Sequence, residues 1–479
     1  MQRRVAYVHS DELVRASSLL PSNKGRSSLV HTLHSSLALV ATGHDDHDDD
    51  DAVHRSKARI VPPVEATRSD LLRFHDPRYI DAILGSAEDG SSAVSSNGDD
   101  DGDNDDESSS ASPLECRTFG LASDADDRPR KRQKTDALGL HDDCPVFDGL
   151  ADYVKLVAGA SMTAARELRD GRADVVINWT GGRHHGKRGE AAGFCYVNDI
   201  VLAIIELRSA PRVARSPTPP LSPDGPASTS PSSPPPPPVA APRPPRISRV
   251  LYLDLDLHHG DGVESAFLTS PYVLTLSLHL HAPLFYPSTG ALDSTGPREP
   301  RAKGAHHALN VPLEPGAGEE TLRRLWTSCM ERIREAYDPD AVVLQLGTDG
   351  LAGDPCKEWN LSLSALGYAL ERVLGWNKRT LLLGGGGYHS PNAARAWAYL
   401  TSVALGRPLP LDTPIPPDLP ESTYGLFGPD WTLDVPEGYG VRDRNTDETL
   451  GRVERAFEGY AERVGERWGR GKGTGGSRA

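Results

Sequence analysis

Cysteine is scarce. The 479-residue chain has five, Cys116, Cys144, Cys195, Cys329 and Cys356, and no two of them form a Cys-x-x-Cys pair. This argues against a cysteine-ligated zinc, and an odd count without a secretory leader points to a reducing compartment. Met1 to Val8 lacks the apolar core of a signal peptide. No run approaches the roughly 18 apolar residues of a membrane span, so no membrane association is expected. The four consecutive glycines, Gly384 to Gly387, are followed by Tyr388 and not by Lys-Ser/Thr, which excludes a phosphate-binding P-loop.

The net charge of -15 is unevenly spread. Asp45 to Asp51 holds six aspartates and Asp99 to Glu107 seven acidic residues, which nearly account for it. The remainder is close to neutral, and no direct nucleic-acid binding is expected. Three stretches look like inserts: 43–56, rich in Asp and His; 86–136, rich in Ser, Gly, Asp and Glu; and 211–246, with 15 of the 40 prolines. All three are expected to be disordered. The first reads as a solvated loop rather than a weak metal-binding tract. The second has too little apolar content to offset the entropy of folding. The third, too proline-rich for a helix or central strand, reads as an extended surface insertion rather than a Pro-rich ligand for a partner domain. Arg128-Pro-Arg-Lys-Arg-Gln-Lys134 reads equally as a nuclear import signal and as a basic patch offsetting the acidic run beside it.

The rest alternates between short apolar runs and helical periodicities. Strands are expected at Val5–His9, Ile60–Pro63, Asp174–Trp179, Val250–Leu253, Tyr272–Leu278, Ala341–Leu346 and Thr380–Leu383. Helices are expected at Ser27–Val40, from Thr67, and at Tyr79–Leu84, Gly149–Asp170, Asn198–Arg208, Glu319–Ala336, Leu363–Leu374, Pro391–Leu405 and Glu448–Trp468. This alternation predicts an α/β fold: one large domain, 1–443, around a central, mainly parallel sheet flanked by helices and interrupted by the inserts, followed by a C-terminal helix and flexible tail, 444–479. In such sheets sites form at the carboxyl ends of the strands.

Every polar cluster falls at such an end. After Trp179 comes Gly181-Gly-Arg-His184-His185. After Leu253 come Asp254, Asp256 and His258, spaced by two so that an extended strand would point them to one face, with Asp261 beyond. After Leu346 comes Gly-Thr-Asp349, and after Leu383 the glycines and Tyr388. Two carboxylates buried together require a cation. Together the groups suit metal-assisted amide hydrolysis. Zinc on Asp256, His258 and Asp349 keeps a position open for water. His184 or His185 moves the proton, Asp254 and Asp261 orient those histidines, and Tyr388 donates to the developing oxyanion.

The motifs Gly193-Phe-Cys-Tyr-Val-Asn198, Asp254-Leu-Asp-Leu-His-His-Gly-Asp-Gly262 and Leu383-Gly-Gly-Gly-Gly-Tyr388 closely resemble those of the class I zinc-dependent histone deacetylases, most of all the short isoform-8 branch. The resemblance runs from about Tyr7 to about Asp443 and implies the arginase/deacetylase fold. It implies zinc on Asp256, His258 and Asp349, with His185 paired to Asp261 as general base and acid. His184, paired to Asp254, would be the electrostatic partner. It implies an acetyl-lysine tunnel lined by Gly193, Phe194, Tyr286 and Gly386, with Asp143 gripping the substrate backbone at the rim. It also implies a structural potassium ion on Asp254, Asp256, His258, Ser277 and the Leu278 carbonyl. The expected substrates are acetylated histone tails or other acetyl-lysine proteins. A corepressor complex and the nucleus, with the cytoplasm as a second location, follow from the same likeness. The chain departs from the pattern at Arg183, Tyr286 and Cys356. Arg183, in place of an aromatic residue, is expected to lower the pKa of the paired histidines. The rival readings are an acetylpolyamine or other small-molecule amidohydrolase, a weakly active repressor scaffold, and a manganese hydrolase of the same fold.

Overall fold

The computed structural model describes residues 3–41, 57–85, 137–211, 244–299 and 301–469. Inserts 43–56 and 86–136, most of 211–246, and the end of the tail lie outside the described residues. The chain rejoins the domain at Pro244, inside the expected third insert. There Arg379 donates to the Pro245 carbonyl at 3.2 Å and Arg246 to the Arg208 carbonyl at 3.3 Å.

Among the described residues, eight strands form one sheet: β1 (Val5–Val8), β2 (Arg59–Val61), β3 (Val175–Asn178), β4 (Val250–Asp254), β5 (Val273–Leu280), β6 (Ala308–Leu313), β7 (Ala341–Gln345) and β8 (Arg379–Leu383). Their order is β2-β1-β3-β8-β7-β4-β5-β6, and every pairing is parallel. The expectation of a mainly parallel sheet therefore tightens to a wholly parallel one. The central strands read Val-Val-Ile-Asn, Val-Leu-Tyr-Leu-Asp and Ala-Val-Val-Leu-Gln and are buried throughout, as a sheet covered on both faces requires.

Alternate strand residues enter two separate cores. Leu251, Leu253, Val342, Leu344 and Leu382 face one, with the helices α2 (Arg26–Ser36), α10 (Leu363–Gly375), α11 (Ser390–Ala404) and α13 (Asp447–Arg467). Val250, Tyr252, Val343, Leu381 and Leu383 face the other, with α1 (Asp11–Ser18), α5 (Leu150–Arg169) and α6 (Asp199–Leu207). The C-terminal helix expected beyond residue 443 is α13, which buries Leu450, Val453, Phe457 and Val464 in the first core. Thr67 caps a short helix, α3 (Arg68–Leu71), through a reciprocal bond pair with Asp70. α4 spans Pro77–Ile83, and α12 spans Glu421–Tyr424. The single helix expected over Glu319–Ala336 is instead α8 (Glu319–Leu325) and α9 (Arg332–Tyr337), joined by a wider π-helical stretch, Trp326–Glu331. α1, β6 and α7 (Asp261–Phe267) were not expected. Among the described residues, no helix is long and apolar enough to cross a membrane.

Candidate metal centre

The four strands that carry the polar clusters are neighbours, in the order β3-β8-β7-β4. Because they are parallel, their carboxyl ends share one edge, and the four following loops meet there. The fit is tight: a Cβ on Gly182, in the loop after β3, would lie 2.1 Å from the Gly384 carbonyl oxygen after β8.

The strand face expected to gather Asp254, Asp256 and His258 does not form. β4 stops at Asp254, so Asp256 and His258 lie on a bend beyond it and do not alternate along a strand. They converge because the Asp254 carboxylate accepts from the Asp256 amide at 3.1 Å, and Asp349 accepts from the Leu257 amide at 3.0 Å. Asp256, His258 and Asp349 form a buried cluster with their ligand atoms within 4.8 Å of one another. His258 Nδ1 stands 3.0 Å from Asp349 Oδ2 and 3.4 Å from Asp256 Oδ1. Two ligands at about 2.0–2.2 Å on one tetrahedral metal stand about 3.3–3.6 Å apart, so the set fits a small cation.

The outer oxygens are committed elsewhere. Asp256 Oδ2 accepts from Gln345 Nε2 at 2.7 Å and from the Gly386 amide at 2.8 Å. Phe285 stacks on the His258 ring with centroids 5.0 Å apart. Burial disfavours a charged His258, but bonds to Asp256 and Asp349 outweigh it and push the ring up to about 10. Burial and the neighbouring Asp256 push Asp349 up to about 7. Two carboxylates and an imidazole buried this close together favour positive charge among them, and a cation in place of the proton would supply it.

The paired histidines sit beside it. His184 donates from Nδ1 to Asp254 Oδ2 at 2.9 Å, an oxygen that also accepts the Tyr252 hydroxyl at 2.5 Å. His185 donates from Nδ1 to Asp261 Oδ1 at 2.8 Å, and the other Asp261 oxygen accepts from Lys187. Burial opposes a charge on His184, yet Asp256 and Asp254 push it up to about 9. Burial, and then the His184 charge, push His185 down to about 3 despite Asp261. The expected uniform lowering by Arg183 is therefore not found. The Arg183 guanidinium donates to the Thr180 carbonyl at 3.1 Å, and its amide is held by Asp199 at 2.8 Å.

The other expected site residues gather at the same edge. A Cβ on Gly193, whose φ is +52°, would lie 2.4 Å from the His185 ring and 3.0 Å from that of Tyr286. Phe194 meets Tyr388 edge to face at 5.8 Å, and Tyr286 meets His185 likewise at 4.9 Å. Asp143 Oδ2 accepts from the Gly193 amide at 2.9 Å. A Cβ on Gly386 would lie 2.2 Å from Asp349 Oδ2. Gln345, Lys187, Tyr252, Phe285, Thr348, Asp354 and Arg26 were missed. Gln345 had a signal, a polar amide ending an apolar strand. Arg26 had none: it is buried in α2 and donates to the Gly385 and Gly387 carbonyls at 3.1 and 2.8 Å, about 360 residues away in sequence.

Fold and edge together define a class: a parallel α/β domain with a buried carboxylate–imidazole cluster suited to a metal ion at the carboxyl ends of its strands. Residues 21–215 and 240–404 match the model of the histone deacetylase domain. The chain is 34% identical to histone deacetylase 8 of Danio rerio over 462 residues, 96% of each chain. It is 32% identical to that of Xenopus tropicalis over 459 residues, 96% of this chain and 98% of that one. It is 38% identical to histone deacetylase 1 of Homo sapiens over 323 residues, 67% of this chain and 57% of that one. The chain belongs to the histone deacetylase family, class I, and is similar to its isoform-8 members over most of its length. Membership makes it a hydrolase that deacetylates lysine.

Proposed function

We propose that the chain hydrolyses the ε-acetyl amide of acetyl-lysine in histone tails or other proteins, using one zinc ion held by Asp256, His258 and Asp349. The buried Asp-His-Asp cluster beside two carboxylate-paired histidines carries this reading. When bound, zinc lowers the pKa of a water and polarises the acetyl oxygen.

The protein's own residues do the rest. His185, neutral and aligned by Asp261, takes the proton from the attacking water and passes it to the lysine nitrogen as the amide bond breaks. Lys187 fixes the far oxygen of Asp261 and so the plane of the His185 ring. His184, charged and held by Asp254, supplies a fixed positive field beside the reacting carbonyl. Tyr388 donates its hydroxyl to the oxygen that gains charge. Gly193, Phe194, Tyr286 and Gly386 form the narrow walls that admit a lysine-width chain. Asp143 keeps one oxygen on Gly193 and turns the other to the substrate backbone. A structural potassium ion is proposed at Asp254, Asp256, His258, Ser277 and the Leu278 carbonyl. The register pairing of Asp254 with Ser277 supports it.

The family likeness also supports a role in chromatin and transcriptional repression, a corepressor complex, and residence in the nucleus. The test is substrate competition. Purified protein is given an acetyl-lysine histone peptide and an acetylated polyamine at equal concentration. The reading expects the peptide to be the better substrate by kcat/KM; preference for the polyamine would favour the small-molecule amidohydrolase.

A further inference from the structure

The Gly384–Tyr388 segment has little stiffness of its own, since four glycines precede the tyrosine and Gly387 has a φ of +124°. Other parts of the protein hold it. Gly386 donates to Asp256 Oδ2 at 2.8 Å, its carbonyl accepts from the Thr348 hydroxyl at 3.3 Å, and Arg26 grips the carbonyls on either side. Those bonds fix the glycines. Asp354 acts on the tyrosine itself: Oδ2 accepts from the Tyr388 amide at 2.8 Å and the His389 amide at 3.2 Å, while Oδ1 accepts from the Cys356 amide at 3.0 Å.

Asp354 is 3% exposed. Burial pushes its pKa up to about 6 against the pull of those three amides, so at neutral pH it is mainly a charged acceptor, the stronger kind. It also lies five residues after Asp349 in the loop that follows β7. One short piece of backbone therefore carries a ligand of the metal cluster, the Thr348 grip on Gly386 and the Asp354 grip on Tyr388.

We propose that Asp354 is the positioning residue for Tyr388, setting the distance between the tyrosine hydroxyl and the metal cluster. The inference rests on the proposed role of Tyr388. An amide in place of the carboxylate has one acceptor oxygen for three amide donors, so at least one bond is lost and the ring is free to shift. A misplacement of about 1 Å costs roughly a hundredfold in rate. Asp354→Asn is therefore expected to lower kcat by about ten- to a hundredfold, with KM and zinc content within about twofold of wild type.

A purely structural role would also lower kcat, so the deciding readout is the double variant. If Asp354 acts through the Tyr388 hydroxyl, adding Asp354→Asn to Tyr388→Phe changes kcat by no more than about twofold. Should the amide variant not purify, Asp354→Glu, which keeps the charge on a longer stem, carries the same cycle. Multiplying losses, or wild-type kcat in the single variant, overturn the inference. If Tyr388→Phe alone keeps full turnover, it is the role of Tyr388 that fails.

Discussion

Gln345→Met tests how the metal cluster is held. Gln345 is fully buried at the end of β7. Its amide nitrogen donates to Asp256 Oδ2 at 2.7 Å, and its oxygen accepts from the Gly347 amide at 2.9 Å. Methionine matches its length and lack of branching but offers neither bond. Asp256 would keep only the Gly386 amide on that oxygen and gain freedom to rotate away from His258. Losing one such supporting bond lowers metal affinity by about ten- to a hundredfold, or about 1.4–2.7 kcal/mol. The unpaired Gly347 amide would cost about 1–3 kcal/mol more in the metal-free fold. The assay is competition for zinc against a chromophoric chelator, with thermal melting of the metal-free protein alongside. A lower Tm with unchanged zinc affinity would refute the reasoning and leave Gln345 as packing. Gln345→Glu, which sets a second carboxylate against Asp256, is expected to weaken zinc at least as much at neutral pH.

Three further outcomes are expected. Gly193→Ala, which drives a methyl into the His185 ring at a position with φ of +52°, should lower turnover at least about a hundredfold while zinc content stays near wild type; measuring both on one preparation checks it. His185→Ala should cost about 10²–10⁴ in kcat without loss of zinc, since the ring is not a ligand; loss of metal would contradict that. Glu206→Ala should destabilise by about 1–3 kcal/mol in a denaturant melt, because it removes one of the two carboxylates on the almost wholly buried Arg169, which keeps Asp170, and the carboxylate shared by Arg73 and Arg166. Burial raises the Glu206 pKa but the three arginines outweigh it and hold it low. Its contribution is therefore present at neutral pH and fades as pH falls through that lowered value.

The fold was legible because buried parallel strands are written as short, mostly apolar runs, and seven of the eight described strands were marked that way, even β5, where Thr275, Ser277 and His279 alternate with the apolar residues. β6 was not, since Ala308-Leu-Asn-Val-Pro-Leu313 interrupts its apolar run with Asn310 and Pro312. The break between α8 and α9 leaves the apolar spacing of Glu319–Ala336 almost intact, so periodicity does not show it. The site residues were legible as types: carboxylates, imidazoles and glycines at strand ends. Their geometry was not. The spacing of Asp254, Asp256 and His258 suggested a strand face, whereas a bend held by amides brings them together. Arg26, Asp354 and Lys187 act through contacts between distant segments, and nothing local distinguishes them. Arg183 looked like a local charge on the histidines, but burial and the carboxylate pairs set their protonation.

The central claim is that one zinc ion at Asp256, His258 and Asp349 makes this chain an acetyl-lysine deacetylase. The most direct measurement is turnover of an acetyl-lysine peptide by protein stripped with a chelator and then titrated with zinc. The account expects no turnover in the stripped protein, recovery saturating at one zinc per chain, and neither zinc binding nor recovery in Asp256→Ala. Undiminished turnover by verified zinc-free protein, or recovery by zinc in the Asp256→Ala variant, would contradict it.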